Sequence, residues 1–168
     1  MKKIGIIYGS TTGTAQNLAR RIAEKLNVPN EQVYDASQLS ETLVNDFDVL
    51  ILGSSTWGSG ELQDDWYDGV KVLKKSDLSN KWVALFGCGD SESFSDTFCD
   101  AMGILYTELK DTHCRFCGAV ETDGYTFDSS VAVVNGKFVG LPLDEINENR
   151  QTDKRIIAWV EQLQREIC

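Results

Sequence analysis

Continuous apolar runs, rather than alternating ones, mark short segments in the first half of the chain. Runs of this kind are typical of parallel strands that helices cover on both faces. The predicted strands are 3–8, 33–36, 48–55 and 81–89.

Between these runs, apolar residues recur three or four positions apart, a spacing that is typical of amphipathic helices. The pattern predicts one helix from Ala15 to Leu26, helices over 64–74 and 96–109, and a C-terminal helix through Ile167 that Thr152 caps. Alternating strands and helices indicate an α/β fold, a doubly wound five-stranded parallel sheet with helices on both faces. We expect residues 1–168 to form a single domain.

Residues 114–143 break this alternation with short β-type pieces. The segment VNGKF contains the Asn-Gly pair of a tight hairpin. We therefore predict a fifth strand that is interrupted by a small β insertion.

Hydroxyl-bearing residues and glycines follow the first predicted strand, at the sheet edge where such folds bind ligands. Four hydroxyls (Ser10, Thr11, Thr12 and Thr14) precede a helix N-terminus, whose free N–H groups attract anions. This loop predicts a phosphate site. It lacks the Lys-Ser/Thr ending of a P-loop, and its glycine spacing does not fit G-x-G-x-x-G.

Aromatic residues lie in the loops that follow the third and fourth predicted strands. Trp57 lies in a glycine-rich loop, where an indole is costly to expose unless a flat ligand covers it. In the other loop Phe94 offers a second flat face, and Asp90 can accept a hydrogen bond from a ring N–H. Together the three loops predict a site for a phosphorylated planar ring.

Net charge and cysteine content narrow the possible classes of protein. With 16 basic and 26 acidic residues, the formal charge of −10 argues against a nucleic-acid partner. No signal peptide and no apolar run of membrane-spanning length is found, so we expect no membrane partner. Because the five cysteines are an odd number and no signal peptide is found, we expect reduced thiols and a cytoplasmic location.

At these loops the sequence resembles a flavodoxin of the long-chain type. The residues that carry the resemblance are Ser10–Ala15, the segment TWGSGEL over 56–62, and GCGD over 87–90, with TDGYTF and NGKFVGLPLDE resembling the long-chain insertion. The resemblance implies non-covalent FMN, with its phosphate on the first loop and its ring against Trp57. The implied cofactor-binding residues are Ser10, Thr11, Thr12, Gly13, Thr14, Ala15, Thr56, Trp57, Gly58, Ser59, Gly60, Cys88, Gly89, Asp90, Phe94 and Cys99. Ala15 and Phe94 depart from the family pattern, which usually has a hydroxyl residue and a tyrosine there.

The resemblance also implies a low-potential one-electron carrier that replaces ferredoxin, with no catalytic residues and no metal. The peptide Gly58–Ser59 would turn to bind the half-reduced ring. Partners would be basic-surfaced redox proteins, such as flavodoxin or ferredoxin reductases and oxidoreductases, which dock transiently on a monomer. The acidic residues expected around the site are Glu61, Asp64, Asp65, Asp90, Glu92 and Asp96.

Three alternatives compete with a carrier. An FMN-dependent NAD(P)H quinone or azo reductase of the same fold is the main one, although no residue set for a nicotinamide or substrate pocket is found. A zinc site at Cys114 and Cys117 with Cys88 and Cys99 is disfavoured, because residues three apart on a strand point to opposite faces. A phosphorelay receiver lacks the acidic residues that it needs at the strand ends.

Overall fold

The computed structural model describes residues 2–57 and 59–167. The strands are β1 Ile4–Gly9, β2 Val33–Asp35, β3 Val49–Trp57, β4 Glu61–Leu62, β5 Trp82–Cys88, β6 Arg115–Cys117, β7 Val120–Glu121, β8 Val133–Val134, β9 Lys137–Phe138 and β10 Leu141–Leu143. The α-helices are α1 Thr14–Leu26, α2 Glu41–Asn45, α3 Asp65–Lys75, α4 Asp100–Leu109 and α5 Thr152–Ile167. Short 3₁₀ helices span Asn30–Gln32, Ala36–Gln38, Lys110–Thr112 and Asn149–Gln151.

The main sheet is parallel and has the order β10-β5-β3-β1-β2. Its fifth position is shared by two strands, because β6 pairs with the beginning of β5 and β10 pairs with its end. The predicted fold and the predicted interruption of the fifth strand are both confirmed.

Neighbouring residues of β1, β3 and β5 pack into separate cores on the two faces of the sheet. Ile6 packs with residues of α1 and α5, whereas Ile7 packs with residues of α3 and α4. Both side chains are fully buried. Burial on both faces explains why the strands have continuous apolar runs.

The inserted segment forms a small antiparallel sheet in the order β7-β9-β8. Its tight turn uses Asn135 and Gly136, which have positive φ values of 54° and 82°. The Asn-Gly hairpin is confirmed, since both central residues of this turn type need positive φ.

Two helix starts and one additional short helix differ from the sequence prediction. Helix α4 begins at Asp100 rather than near residue 96, because Cys99 has a φ of 54° that an α-helix does not accept. Thr152 does not cap α5: it is the first helical residue, and its hydroxyl donates to Glu145 instead. Helix α2, which the sequence analysis did not predict, is capped by Ser40, whose Oγ accepts from the N–H of Leu43.

None of the helices within residues 2–57 and 59–167 combines the length and the apolar character that crossing a bilayer requires.

Candidate functional site

The loops that follow β1, β3, β5 and β10 meet at one edge of the sheet and enclose a groove of about 310 Å³. A groove of this kind is where open α/β sheets bind ligands. Its lining residues are Thr12, Thr14, Ser55, Thr56, Trp57, Cys88, Gly89, Asp90, Phe94, Thr97, Glu145 and Ile146.

The loop after β1 presents a helix N-terminus to the groove. Gly13 precedes α1 with a φ of 97°, a conformation that favours glycine, and no side chain caps the helix. Ser10 Oγ accepts from the N–H of Gly13 at 3.0 Å, which holds the turn. The first turn of α1 contains no acidic residue, so its free N–H groups and positive dipole end are available to an anion.

The end of β3, where the sequence predicted a loop, places an exposed indole at the groove. Trp57 is 39% exposed, and its Nε1 donates to Ser55 Oγ at 2.9 Å, which fixes the orientation of the ring. The N–H of Gly60 donates to the carbonyl of Trp57 at 3.1 Å and closes the turn into β4. The ring therefore has a fixed position although much of it is open to solvent.

Gln63 joins the first two loops. It is buried, and its Nε2 donates to Thr11 Oγ1 at 3.1 Å. Its backbone N–H donates to Ser54 Oγ on β3. This link sets the position of the hydroxyl-rich loop relative to the loop of Trp57.

The loop after β5 is organised around Asp90. Its Oδ1 accepts from the N–H groups of Glu92 and Ser93 and from the side-chain amide of Asn147. The bonds from Ser93 and Asn147 hold the pKa of Asp90 below its usual value, so the carboxylate stays ionised at the groove. Phe94 follows in the same loop and is 50% exposed.

The loop after β10 contributes residues that the sequence analysis missed. Asp144 is fully buried and bonds to Ser91, Ile146 and Asn147. Although burial raises the pKa of Asp144, the hydrogen bonds from Ser91 and Asn147 outweigh burial and lower it. Glu145 and Ile146 follow directly and line the groove.

Thr97 Oγ1 is a buried polar atom in the groove wall that has no hydrogen-bond partner among the described residues. Buried hydroxyls are almost always bonded in folded proteins. An unsatisfied one in a groove wall is therefore a candidate contact for a polar ligand atom.

The cysteines near the groove are protonated thiols. Burial, assisted by the charges of Glu145 and Asp144, raises the pKa of Cys88 to about 12. Burial also raises the pKa of Cys99 well above its usual value. Within the described part of the chain, no group of three or more His, Cys, Asp and Glu side chains is placed to hold a metal ion.

The structure brings half of the predicted cofactor-binding residues together in the groove. These are Thr12, Thr14, Thr56, Trp57, Cys88, Gly89, Asp90 and Phe94. Others lie in the same loops but do not line it: Ser10, Thr11, Gly13, Ala15, Ser59, Gly60 and Cys99. Ala15 and Cys99 have no exposed surface, and Gly58 lies outside the described residues.

Known proteins resemble this chain in both sequence and fold. The flavodoxin family model matches residues 6–159. The flavodoxin of Buchnera aphidicola subsp. Acyrthosiphon pisum is 44% identical over 97% of this chain and 96% of its own length. Flavodoxin 1 of Azotobacter vinelandii is 43% identical over 99% of this chain and 98% of its own length. The crystal structure of Fusobacterium nucleatum flavodoxin bound to flavin mononucleotide has a TM-score of 0.91 and 31% identity, with 99% of each chain covered. The chain belongs to the flavodoxin family.

Proposed function

We propose that this chain is a carrier of single electrons that holds FMN non-covalently in the groove and passes electrons between redox enzymes. The observation that carries the proposal is the arrangement of two exposed aromatic rings, Trp57 and Phe94, beside an uncapped helix N-terminus in one groove. When bound, FMN supplies a ring that accepts and releases electrons singly.

The residues of the first loop fit a phosphate group. Thr12 and Thr14 line the groove, and a Cβ at Gly13 would meet no atom within 4 Å, so the loop leaves room for an anion. The free N–H groups of α1 donate to anionic oxygens and the helix dipole favours their charge. We assign phosphate binding to residues 10–15.

The remaining loops fit a flat ring with polar edges. The aromatic surfaces of Trp57 and Phe94 gain apolar burial when a ring covers them. Gly89 and Asp90 line the groove together with these two rings. The side chain of Asp90 accepts hydrogen bonds from other described residues at Oδ1, and Oδ2 accepts none of them. We therefore assign ring N–H recognition to Asp90, and we assign a hydrogen bond to the ligand to Thr97 Oγ1, which its own chain leaves unsatisfied.

The acidic residues beside the groove support docking of partners with basic surfaces. Glu61 pairs with Trp57 across β3 and β4, and Glu92 and Asp96 lie on either side of Phe94 in sequence. These three side chains are exposed, and none forms an ion pair with another described residue. Exposed carboxylates that are not in ion pairs attract basic surfaces and guide partners into transient contact. We propose a cytoplasmic monomer that acts as one FMN-binding domain.

A redox titration followed by absorbance tests the function. The purified protein should be yellow, or become yellow when incubated with FMN, and should take up electrons in separate one-electron steps. A protein that stays colourless after incubation with excess FMN would rule the proposal out.

Mixing with NAD(P)H separates a carrier from a reductase of the same fold. We expect the flavin absorbance to persist when NAD(P)H alone is added, and to bleach once a flavodoxin reductase is present. Rapid bleaching by NAD(P)H alone would identify an enzyme instead.

A further inference from the structure

An acidic side chain lines the groove together with two residues of the loop to which we assign phosphate binding. Glu145 lines the same groove as Thr12 and Thr14. None of the described lining residues is a lysine or an arginine. Since a phosphate monoester carries nearly two negative charges at pH 7, an uncompensated carboxylate there would oppose its binding.

Glu145 is compensated by Arg21, which reaches it from α1. Arg21 Nη1 lies 3.1 Å from Glu145 Oε2, and Arg21 Nη2 lies 2.7 Å from Asp153 Oδ1 on α5. The other oxygen of Glu145 accepts from the hydroxyl of Thr152. Both oxygens of the Glu145 carboxylate therefore accept hydrogen bonds from Arg21 and Thr152, which do not line the groove.

The environment of the Arg21–Glu145 pair strengthens it relative to a surface ion pair. The side chains of Arg21 and Glu145 are only 27% and 26% exposed, so water screens their interaction less than it screens a pair on the surface. The planar guanidinium of Arg21 binds two carboxylates at once, which a point charge cannot do with the same geometry.

We propose that Arg21 is a positioning residue for the cofactor: it neutralises Glu145 and holds that carboxylate so that the groove accepts the phosphate of FMN. This inference rests on the proposed function. It explains how a groove lined by Asp90 and Glu145, and by no basic residue that the structure describes, can take a dianion.

Comparing FMN with riboflavin isolates the phosphate, because riboflavin has the same ring and no phosphate. We would titrate each ligand into the apoprotein and follow the quenching of flavin fluorescence. For Arg21→Gln we expect FMN affinity to fall roughly three- to tenfold at low ionic strength, with riboflavin affinity unchanged. Arg21→Lys keeps the charge but cannot bind Glu145 and Asp153 with the same geometry, so it should restore only part of the FMN affinity that Arg21→Gln loses.

A double-mutant cycle tests whether Arg21 acts through Glu145. Glu145→Gln should bind FMN as well as or better than the wild type, and the double variant Arg21→Gln/Glu145→Gln should recover most of the affinity that Arg21→Gln loses. Arg20→Gln is the matched control. It removes the same charge from the neighbouring position of α1. Arg20 lines a separate pocket with Asn30 and Tyr8 and does not line the groove, so this variant should leave FMN affinity unchanged.

The inference is overturned by equal loss of FMN and riboflavin affinity in Arg21→Gln, by the same loss in Arg20→Gln, or by no recovery in the double variant. Circular dichroism of each apoprotein confirms that the variants fold. If the wild type binds FMN and Arg21→Gln binds it equally well, this inference alone fails. If the wild type does not bind FMN, the proposed function fails together with it.

Discussion

The carboxylate of Asp144 accepts hydrogen bonds from both the backbone N–H and the hydroxyl of Ser91, and this pair joins the loop after β10 to the loop after β5. The same carboxylate accepts from the N–H groups of Ile146 and Asn147. The two loops that supply Asp90 and Glu145 to the groove therefore share one buried anion.

We predict that Asp144→Asn lowers the free energy of unfolding by about 2 kcal/mol at pH 7. Asparagine keeps only one acceptor oxygen, so its NH2 group must face either the two Ser91 donors or the N–H groups of Ile146 and Asn147. Urea denaturation of the apoprotein measures this loss. Asp123→Asn removes a charge from an exposed side chain and should change stability by less than about 0.5 kcal/mol.

The loss in Asp144→Asn should depend on pH. The folded protein lowers the pKa of Asp144, so it holds this proton less tightly than the unfolded chain, whose aspartates titrate near about 3.9. The stabilisation is therefore complete above that pH and is lost as the pH falls through the lower, folded pKa. The difference in unfolding free energy between wild type and variant should shrink below about pH 4. A constant difference would show that the charge of Asp144 is irrelevant.

We predict opposite effects of Thr97→Val on the apoprotein and on the complex. Replacing a buried, unpaired hydroxyl by a methyl group of the same shape should raise apoprotein stability by about 1 kcal/mol. The same change should weaken FMN binding several-fold, because it removes a polar contact with the ligand. Urea denaturation and fluorescence titration measure the two effects, and Thr126→Val, at an exposed position, is the control. Unchanged FMN affinity would remove Thr97 from the binding site.

Alanine substitutions at Gly60 and Gly124 distinguish the cost of a steric clash from the cost of backbone strain, because the two glycines have similar backbone conformations. Gly60 has a φ of 94°, and a Cβ there would lie 2.5 Å from Asp100 Oδ2. Gly124 has a φ of 84°, and a Cβ there would meet nothing within 4 Å. We expect Gly124→Ala to cost about 1 kcal/mol, from strain alone, and Gly60→Ala to cost about 3 kcal/mol. Equal losses in urea denaturation would mean that Asp100 moves aside at no cost.

The fold and three loops of the groove could be predicted from the sequence because each depends on local signals. Apolar runs identify the strands, and parallel strands bring the residues that follow them to one edge. This rule is the reason why the sequence predicts Trp57 and Phe94 at one site, and both residues line the same groove in the structure.

The fourth loop was missed because β10 contains only three residues and follows the long insertion. The β-type pieces in residues 114–143 predict an interrupted fifth strand, but they do not indicate by themselves where its second half ends. Applying the same edge rule to the segment that ends at Leu143 would have brought Glu145 and Ile146 into the predicted site. The pairing of Arg21 with Glu145 has no such signal, because it joins positions 124 residues apart.

We predict that Trp57 contributes to ligand affinity much more than to apoprotein stability. Its ring is 39% exposed, so Trp57→Ala should change apoprotein stability by about 1 kcal/mol or less while it weakens FMN binding roughly 10- to 100-fold. Tyr67→Ala is the control, since this aromatic residue is 52% exposed on α3 and does not line the groove. Similar FMN affinities for the two variants would argue against stacking on Trp57.

Electron transfer to a basic partner should slow as salt is added. The exposed charges of Glu61 and Glu92 lie close in sequence to Trp57 and Phe94 and attract such a surface. At about 0.1 M salt the screening length is about 10 Å, so added salt weakens this attraction. In stopped-flow experiments with a flavodoxin reductase, we expect the second-order rate constant to fall several-fold between about 0.05 and 0.5 M ionic strength. Glu61→Gln/Glu92→Gln should flatten this dependence. Glu24→Gln/Glu31→Gln changes the net charge equally, but its residues lie on α1 and in the 3₁₀ helix before β2, so the slope should stay close to that of the wild type. Equal flattening in both double variants would mean that net charge, and not the acidic residues beside the groove, governs the encounter.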